Sequence, residues 1–261
     1  MSPGSTKEPI GDPSNDDAED SDVFYGSFVT TEQAYEYEAT HWLELGADVL
    51  PNYNGSIIAM VRRYAAGAAD VMDFGAGIGT LSAAMRAAGL EPLCLEPDVR
   101  QRAELVRRGF KTVAALADIP DHSLDYIYSS NVLEHIEDDV QALTDLRRKL
   151  RPGGRLFLYI PAFQSLYSSL DEFVGHFRRY DKVMLNQKLL QSGYGVEQLY
   201  YADVLGYFVT RLYKLIGNNT NKINPFTLRL FDRIVFPVGT MIERVVKVPV
   251  GKNIVGVARN P

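Results

Sequence analysis

VMDFGAGIGT, residues 71–80, runs a short apolar β-like segment carrying Asp73 into three glycines at alternate positions, Gly75, Gly77 and Gly79. A glycine-rich turn between strand and helix lets backbone approach a ligand where a Cβ would collide, and it turns amide N–H groups outward. Asp73 adds a carboxylate beside that opening. The pair suits a nucleoside cofactor that carries an ammonium group and sugar hydroxyls, because Asp73 would repel a pyrophosphate.

Outward from this turn, strand and helix signals alternate. Asp70 to Phe74 is a first strand, and Thr80 to Ala88 a helix of good formers stopped by Gly89. Glu91 to Leu95 is a second strand, Pro97 to Arg108 a helix with Asp98 in its first turn, and Lys111 to Val113 a short strand. Leu124 to Ser129 forms a strand and Asp138 to Leu150 a helix ending at the turn Arg151-Pro152-Gly153-Gly154; Arg155 to Ile160 is a further strand. Parallel strands need helical crossovers, so the rhythm predicts a doubly wound α/β sheet.

A long connection, Ala162 to Tyr180, interrupts the rhythm; such loops inside a domain are usually functional. A helix then starts after Asp181 and closes at Gly193, with Met184, Leu185, Leu189 and Leu190 expected to be buried. Val196 to Tyr201 and Ile254 to Arg259 read as the last strands, separated by a helical insert. From Leu205 onward nine basic side chains face two acidic ones, among apolar residues such as Phe226, Phe231, Phe236 and Met241. That pattern suits either an anionic membrane surface or helices covering the sheet edge.

The 261 residues, 46% of them hydrophobic, suffice for one substantial core. The net charge of −6 is concentrated in residues 1–22, where seven acids stand against Lys7; the remainder is balanced. That segment reads as a disordered acidic tail, and the lack of any basic excess argues against nucleic-acid binding. Residues 23–66 are helical in character and rich in aromatics, Tyr25 and Trp42 among them, and could cover the strand ends as a lid. The organisation expected is therefore a tail (1–22) and one domain comprising lid (23–66), core (67–204), insert (205–250) and closing strand (251–261). A single cysteine, Cys94, and no basic-then-apolar leader in MSPGSTKEPIGDPSNDD imply a reducing, cytoplasmic setting, with peripheral contact at the inner membrane face left open.

Glu96 ends the second strand about 20 residues past the glycines, where an acid in a doubly wound fold reaches ribose hydroxyls. The glycine spacing G-x-G-x-G, with Thr80 where the dinucleotide pattern G-x-G-x-x-G closes, weakens an NAD reading. Through DFGAGIGT (73–80), Glu96, DIPDHSLDYIYSSNVLEHIED (118–138) and RPGGRLFLYIP (151–161), the chain resembles the class I S-adenosylmethionine-dependent methyltransferases. The resemblance implies a Rossmann-like seven-stranded sheet whose last strand is antiparallel. It also implies that Asp73, Gly75, Ala76, Gly77 and Gly79 surround the methionine part of S-adenosyl-L-methionine, that Glu96 and Pro97 hold the ribose, and that Ala115 and Leu116 flank the adenine, with Asn131 near the cofactor. Many relatives carry an acid where this chain has Ala115. A narrower resemblance, in THW (40–42) and LYSSLDEFVGHFRRYDK (166–182), is to a bacterial branch with a His-Trp lid element and an H-x-R-R-Y loop.

Methyl transfer is an in-line displacement on an activated donor, so positioning dominates. Where the acceptor must lose a proton, His135 and His176 are the candidate bases, since imidazole titrates near neutrality. His41 reads as lid packing and His122 as a solvated turn residue. Arg178 and Arg179 could fork onto a substrate anion or tie the loop to Asp171 and Glu172; the expectation is that they bind the acceptor together with Tyr180, Tyr25 and Trp42. Four scattered histidines and one cysteine suggest no metal site. The reading is a methyltransferase acting on O or N of a small-molecule or lipid- or sugar-linked acceptor and yielding S-adenosyl-L-homocysteine. An NAD-dependent oxidoreductase or epimerase, or a non-catalytic scaffold binding a membrane surface or a partner, stays open.

Overall fold

A computed structural model describes residues 49–215 and 225–261. The acidic tail and the lid residues Tyr25, His41 and Trp42 lie outside the described residues. The elements run α1 (Pro51–Tyr64), β1 (Val71–Phe74), α2 (Thr80–Ala87), β2 (Leu93–Leu95), α3 (Val99–Arg107), β3 (Thr112–Val113), β4 (Leu124–Ser130), α4 (Asp139–Lys149) and β5 (Leu150–Pro161). They continue with α5 (Ser169–Phe173), α6 (Lys182–Gln191), β6 (Gly195–Ala202), α7 (Val204–Leu215), α8 (Pro225–Leu230), α9 (Phe236–Val245) and β7 (Asn253–Arg259). A π-helical turn, Phe231–Val235, fuses α8 to α9.

The seven strands form one sheet in the order β3-β2-β1-β4-β5-β7-β6. Strands β1 to β5 are parallel, and β7 runs antiparallel between β5 and β6. All four residues of β1 are buried, the pattern of a central strand covered on both faces. Its register sets Asp73 between Cys94 and Tyr128. The strand order reverses direction between β1 and β4, and the crevice at the carboxyl ends of those strands is where ligands bind in open α/β sheets.

Aspartates start the helices. Asp98 accepts from the amides of Arg100 and Gln101, Asp138 from Gln141 and Asp181 from Met184, each satisfying N–H groups that a helix leaves without intrahelical partners. Asp98 is thus the cap before α3 and not a residue of its first turn. Helix α1 has Pro51 at its first turn and no local cap; Asp232 of the π turn accepts from the amides of Asn52 (3.0 Å) and Tyr53 (2.8 Å) instead.

Two further local expectations change. Arg151 to Gly154 is not a turn separate from the strand: it is a register shift inside β5, held because Gly153 donates to the Asn260 carbonyl (2.8 Å) and Asn260 to that of Gly154 (2.9 Å). In α6 Leu185 and Leu189 are buried, but Met184 is half-buried and Leu190 exposed, since Leu190 sits about 100° around the helix from Leu189. The insert springs from the ends of β6 and β7 that lie beside the carboxyl end of β5, and it packs on α1 through Asp232 and the Tyr53–Phe236 ring contact. Among the described residues no helix is long and apolar enough to cross a membrane.

Candidate active site

The glycine turn is held from below. Gly75 and Ala76 donate to the Leu95 carbonyl (2.9 and 3.1 Å), Gly79 donates to that of Ala76 (2.9 Å), and Gly77 donates to Glu96 Oε2 (2.8 Å). The amides expected to point outward are therefore engaged within the protein, which removes the usual means of cradling a phosphate. Gly75 and Gly79 have φ of 75° and 83°, and a Cβ on Gly75 would drive into Val132 while one on Gly79 would lie 2.6 Å from Leu105. No side chain fits either place.

Asp73 is 2% exposed and accepts from Ser82 Oγ at 2.6 Å. Burial pushes its carboxyl up to about 7, the bonds to Ser82 and Tyr128 opposing and the Glu96 charge adding. None of those determinants is cationic, so an ionised Asp73 is complementary to a ligand that carries positive charge. Glu96 is 7% exposed, raised by burial, and its two oxygens accept one amide each, from Gly77 and from Asp98 (2.9 Å). A carboxylate oxygen offers two lone pairs, so both retain capacity for a diol. Pro97 is exposed beyond β2, while Ala115 and Leu116 begin the 3-10 turn after β3, with Leu116 buried.

Beyond β4 the backbone is unusual. Asn131, Phe163 and Asp203 follow the ends of β4, β5 and β6, and all three take positive φ, 54°, 61° and 62°. Such strain in non-glycine residues clusters at ligand sites. The Asn131 amide donates to the Tyr159 carbonyl (2.8 Å), and its side chain lies beside the Tyr53 hydroxyl. Asn253 Nδ2 reaches Tyr159 Oη at 2.9 Å, and Lys252, whose amide donates to the Asp203 carbonyl, has its ammonium pushed down by burial. Sequence reading named Asn131 but missed its partners, because they come from α1, β5 and the start of β7.

The two candidate bases converge: the rings of His135 and His176 meet edge to face with centroids 4.6 Å apart. His176 Nδ1 is bonded to Asp171 Oδ1 at 2.7 Å. His135 sits against the backbone carbonyls of Gly175 and Val174, and burial together with the neighbouring His176 pushes it down to about 4. Burial opposes the ionisation of Asp171, but the bonds from His176 and Arg179 outweigh it and hold that carboxyl well below its usual range.

Arg178, Arg179 and Tyr180, expected to bind the acceptor, are engaged within the protein. Arg179 forks onto Asp171 through Nε (2.7 Å) and Nη2 (3.0 Å), buried. Arg178 donates to the carbonyls of Ile136 and Glu137 and pairs with Asp139, and the fully buried Tyr180 hydroxyl donates to Asp139 Oδ2 (2.8 Å). Arg178 and Tyr180 thus clamp the loop to residues 133–139, while Arg179 ties it to its own Asp171. Glu134, which the sequence did not single out, lies at the centre of the clamp, 0% exposed.

Comparison with known proteins matches the family model for the methyltransferase domain to residues 50–199, more than half of the chain. The chain belongs to the methyltransferase domain family. Curated relatives of this methyltransferase-family chain include an uncharacterized methyltransferase of Mycobacterium sp. (strain KMS), 30% identical over 125 residues that cover 44% of this chain and 50% of the relative. Another is an uncharacterized methyltransferase of Mycobacterium tuberculosis, 30% identical over 165 residues, 61% of this chain and 56% of the relative. The chain spans about half the length of the curated relatives it matches. Among solved structures, a SAM-dependent methyltransferase from Thermotoga maritima shares the fold with a TM-score of 0.61 at 14% identity, covering 87% of this chain and 98% of that one. Burkholderia thailandensis 1,6-didemethyltoxoflavin-N1-methyltransferase, solved with bound 1,6-didemethyltoxoflavin and S-adenosylhomocysteine, gives 0.55 at 16% identity over 86% and 83%. The Rossmann-like seven-stranded sheet with its antiparallel last strand is the fold these structures share.

Proposed function

We propose that this chain transfers a methyl group from S-adenosyl-L-methionine to an oxygen or nitrogen of a small-molecule or lipid- or sugar-linked acceptor. The observation that carries the reading is the pairing of Asp73 and Glu96 around a glycine turn whose amides donate inside the protein. That crevice favours a cationic ligand with a diol over a pyrophosphate, and so an S-adenosyl cofactor over NAD. When bound, the cofactor supplies a methyl carbon already activated on a sulfonium. The protein then has chiefly to orient the acceptor, and positioning can provide about 7–11 kcal/mol of the barrier. The strained turns after β4, β5 and β6, with Tyr53, Asn131 and Lys252, are the surfaces we assign to the acceptor. Asp73→Ala and Glu96→Ala are expected to weaken S-adenosylhomocysteine binding about 10-fold or more, the loss of bonds to a charged partner. Unchanged affinity in both would contradict the assignment, and a mass-shifted product from labelled donor and cell extract would identify the acceptor.

A second observation favours a lipid-linked acceptor. On α7 to α9, Phe208, Leu212, Phe226, Ile234, Met241 and Val245 are exposed, Phe226 by 72% and Val245 by 86%. Arg211, Lys214, Arg229, Arg233, Arg244 and Lys247 are exposed among them, while Asp232 is buried and Glu243 is half-buried, accepting from the Val204 amide. The exposed charge of the described insert is thus all basic beside an apolar face. We assign this face to an anionic membrane surface, where each basic residue contributes about 1 kcal/mol. Sedimentation with phosphatidylglycerol vesicles but not phosphatidylcholine vesicles, lost in the double variant Arg229→Glu with Arg233→Glu, is the expected result; equal recovery with both vesicle types would contradict it.

A further inference from the structure

Glu134 presents an unsolved electrostatic problem. Its carboxyl is 0% exposed, and neither oxygen has a hydrogen-bond partner among the described residues. Leaving a buried charge or polar group unpaired is strongly unfavourable, so such a group calls for an ion, a proton or a ligand. Arg179 is forked onto Asp171 through Nε and Nη2; its buried Nη1 has no hydrogen-bond partner among the described residues, and its charge eases but does not bond the Glu134 carboxyl. What does face Glu134 is imidazole: His176 Nε2 lies 3.8 Å from Oε1, and one donor atom each from Glu134, His135 and His176 lies within 4.8 Å of the others.

We propose that Glu134, His135 and His176 bind a divalent first-row transition cation, of the Mn2+, Co2+ or Zn2+ class, on the acceptor side of the crevice. His176 is already oriented as metal ligands usually are, by a bond to the ring nitrogen that does not coordinate. His176 Nδ1 is held by the Asp171 carboxylate, which leaves Nε2 facing Glu134. His135 rests on the carbonyls of Val174 and Gly175. Asp171 is itself fixed by Arg179, which extends the support one shell further.

Donor chemistry narrows the ion. Two imidazoles and one carboxylate suit Mn, Fe, Co or Zn, whereas Mg2+ and Ca2+ prefer oxygen donors throughout. Donors bonded at about 2.0–2.1 Å in a tetrahedral site stand about 3.4 Å apart. The present spacing is therefore somewhat wide, and modest side-chain rotation closes it. Three protein ligands leave at least one position open, the arrangement of catalytic rather than structural sites. That position would take an oxygen, from water or from a hydroxyl of the acceptor.

The sequence carries this site in two pieces 41 residues apart, Glu134-His135 after β4 and His176 in the loop after β5. Backbone joins them directly, since the Phe177 amide donates to the Glu134 carbonyl at 2.8 Å. The clamp of Arg178, Arg179 and Tyr180 thereby gains a purpose as the scaffold of the cation site. The inference deepens the methyltransferase reading by naming an oxygen acceptor, but cation binding can be measured without it.

The test is calorimetric titration of untagged, chelator-treated full-length protein with Mn2+ and with Zn2+, alongside a separate titration with S-adenosylhomocysteine. One equivalent of cation is expected to bind, with affinity lowered at least 100-fold in Glu134→Gln and 10- to 100-fold in Asp171→Asn, a positioning variant. Should the variants fail to fold, Co2+ added to the wild-type protein gives an independent reading: visible d–d absorption saturating at one equivalent supports histidine and carboxylate ligation. No saturable binding by the wild type, or stoichiometric binding untouched by Glu134→Gln, overturns the site. S-adenosylhomocysteine binding without cation binding would end this inference alone, whereas Glu134-dependent cation binding without it would end the methyltransferase reading alone.

Discussion

Ser82 Oγ donates to Asp73 Oδ2 across 2.6 Å, joining the first turn of α2 to the end of β1 beneath the glycine loop. The carboxyl that receives it stands near 7 because burial outweighs that bond. A group whose folded pKa lies above its unfolded value stabilises the fold relative to its ionised form only at low pH, and the advantage is lost as pH rises from about 4 to about 7. Asp73→Asn should therefore be more stable than the wild type at pH 8 by about 1–4 kcal/mol and close to it at pH 4, as measured by urea unfolding of the unliganded protein.

The same carboxyl governs ligand affinity in the opposite sense. A cationic ligand favours ionised Asp73, facing Ser82, Cys94, Tyr128 and Glu96, so S-adenosylmethionine should bind more tightly as pH rises through 7. Calorimetry from pH 6 to 8 should show proton release on binding in the wild type and a flatter profile in Asp73→Asn.

Gly79→Ala places a methyl 2.6 Å from Leu105 at a φ of 83°. The left-handed backbone alone costs about 1–2 kcal/mol for alanine, and the collision adds to it. Urea unfolding should register a loss of at least that size, accompanied by weaker S-adenosylhomocysteine binding, because α2 and the turn move together.

Asp232 caps a helix far earlier in the chain, receiving amides from Asn52, 180 residues before it, and Tyr53. Asp232→Ala removes both bonds together with the one from Asn52 Nδ2, and should lower stability by about 1–3 kcal/mol. Limited proteolysis should then cut first within 225–245, where the insert loses its anchor to α1.

Much of this architecture was legible because the chain repeats local signals that the tertiary structure does not override. Asp181 precedes a helix and caps it, and VMDF reads as the strand it is. Arg151 to Gly154 misled because Pro-Gly-Gly ordinarily ends a strand, whereas here antiparallel pairing to Asn260 carries the strand across it. The Arg178-Arg179 pair looked outward in one dimension, and only the fold shows that Asp171 and Asp139 already engage it. Glu134 was invisible for the complementary reason: an acid after a strand is unremarkable until the loop of residues 162–180 closes over it. Tyr25 and Trp42 lie outside the described residues, so the lid remains a proposal from sequence.

The central claim is that the crevice holds an S-adenosyl nucleoside. Calorimetric titration of the full-length protein with S-adenosylhomocysteine and, separately, with NADH tests it most directly. Binding of one equivalent of S-adenosylhomocysteine and no measurable heat with NADH is the result the structure predicts; saturable NADH binding with no response to S-adenosylhomocysteine would contradict it.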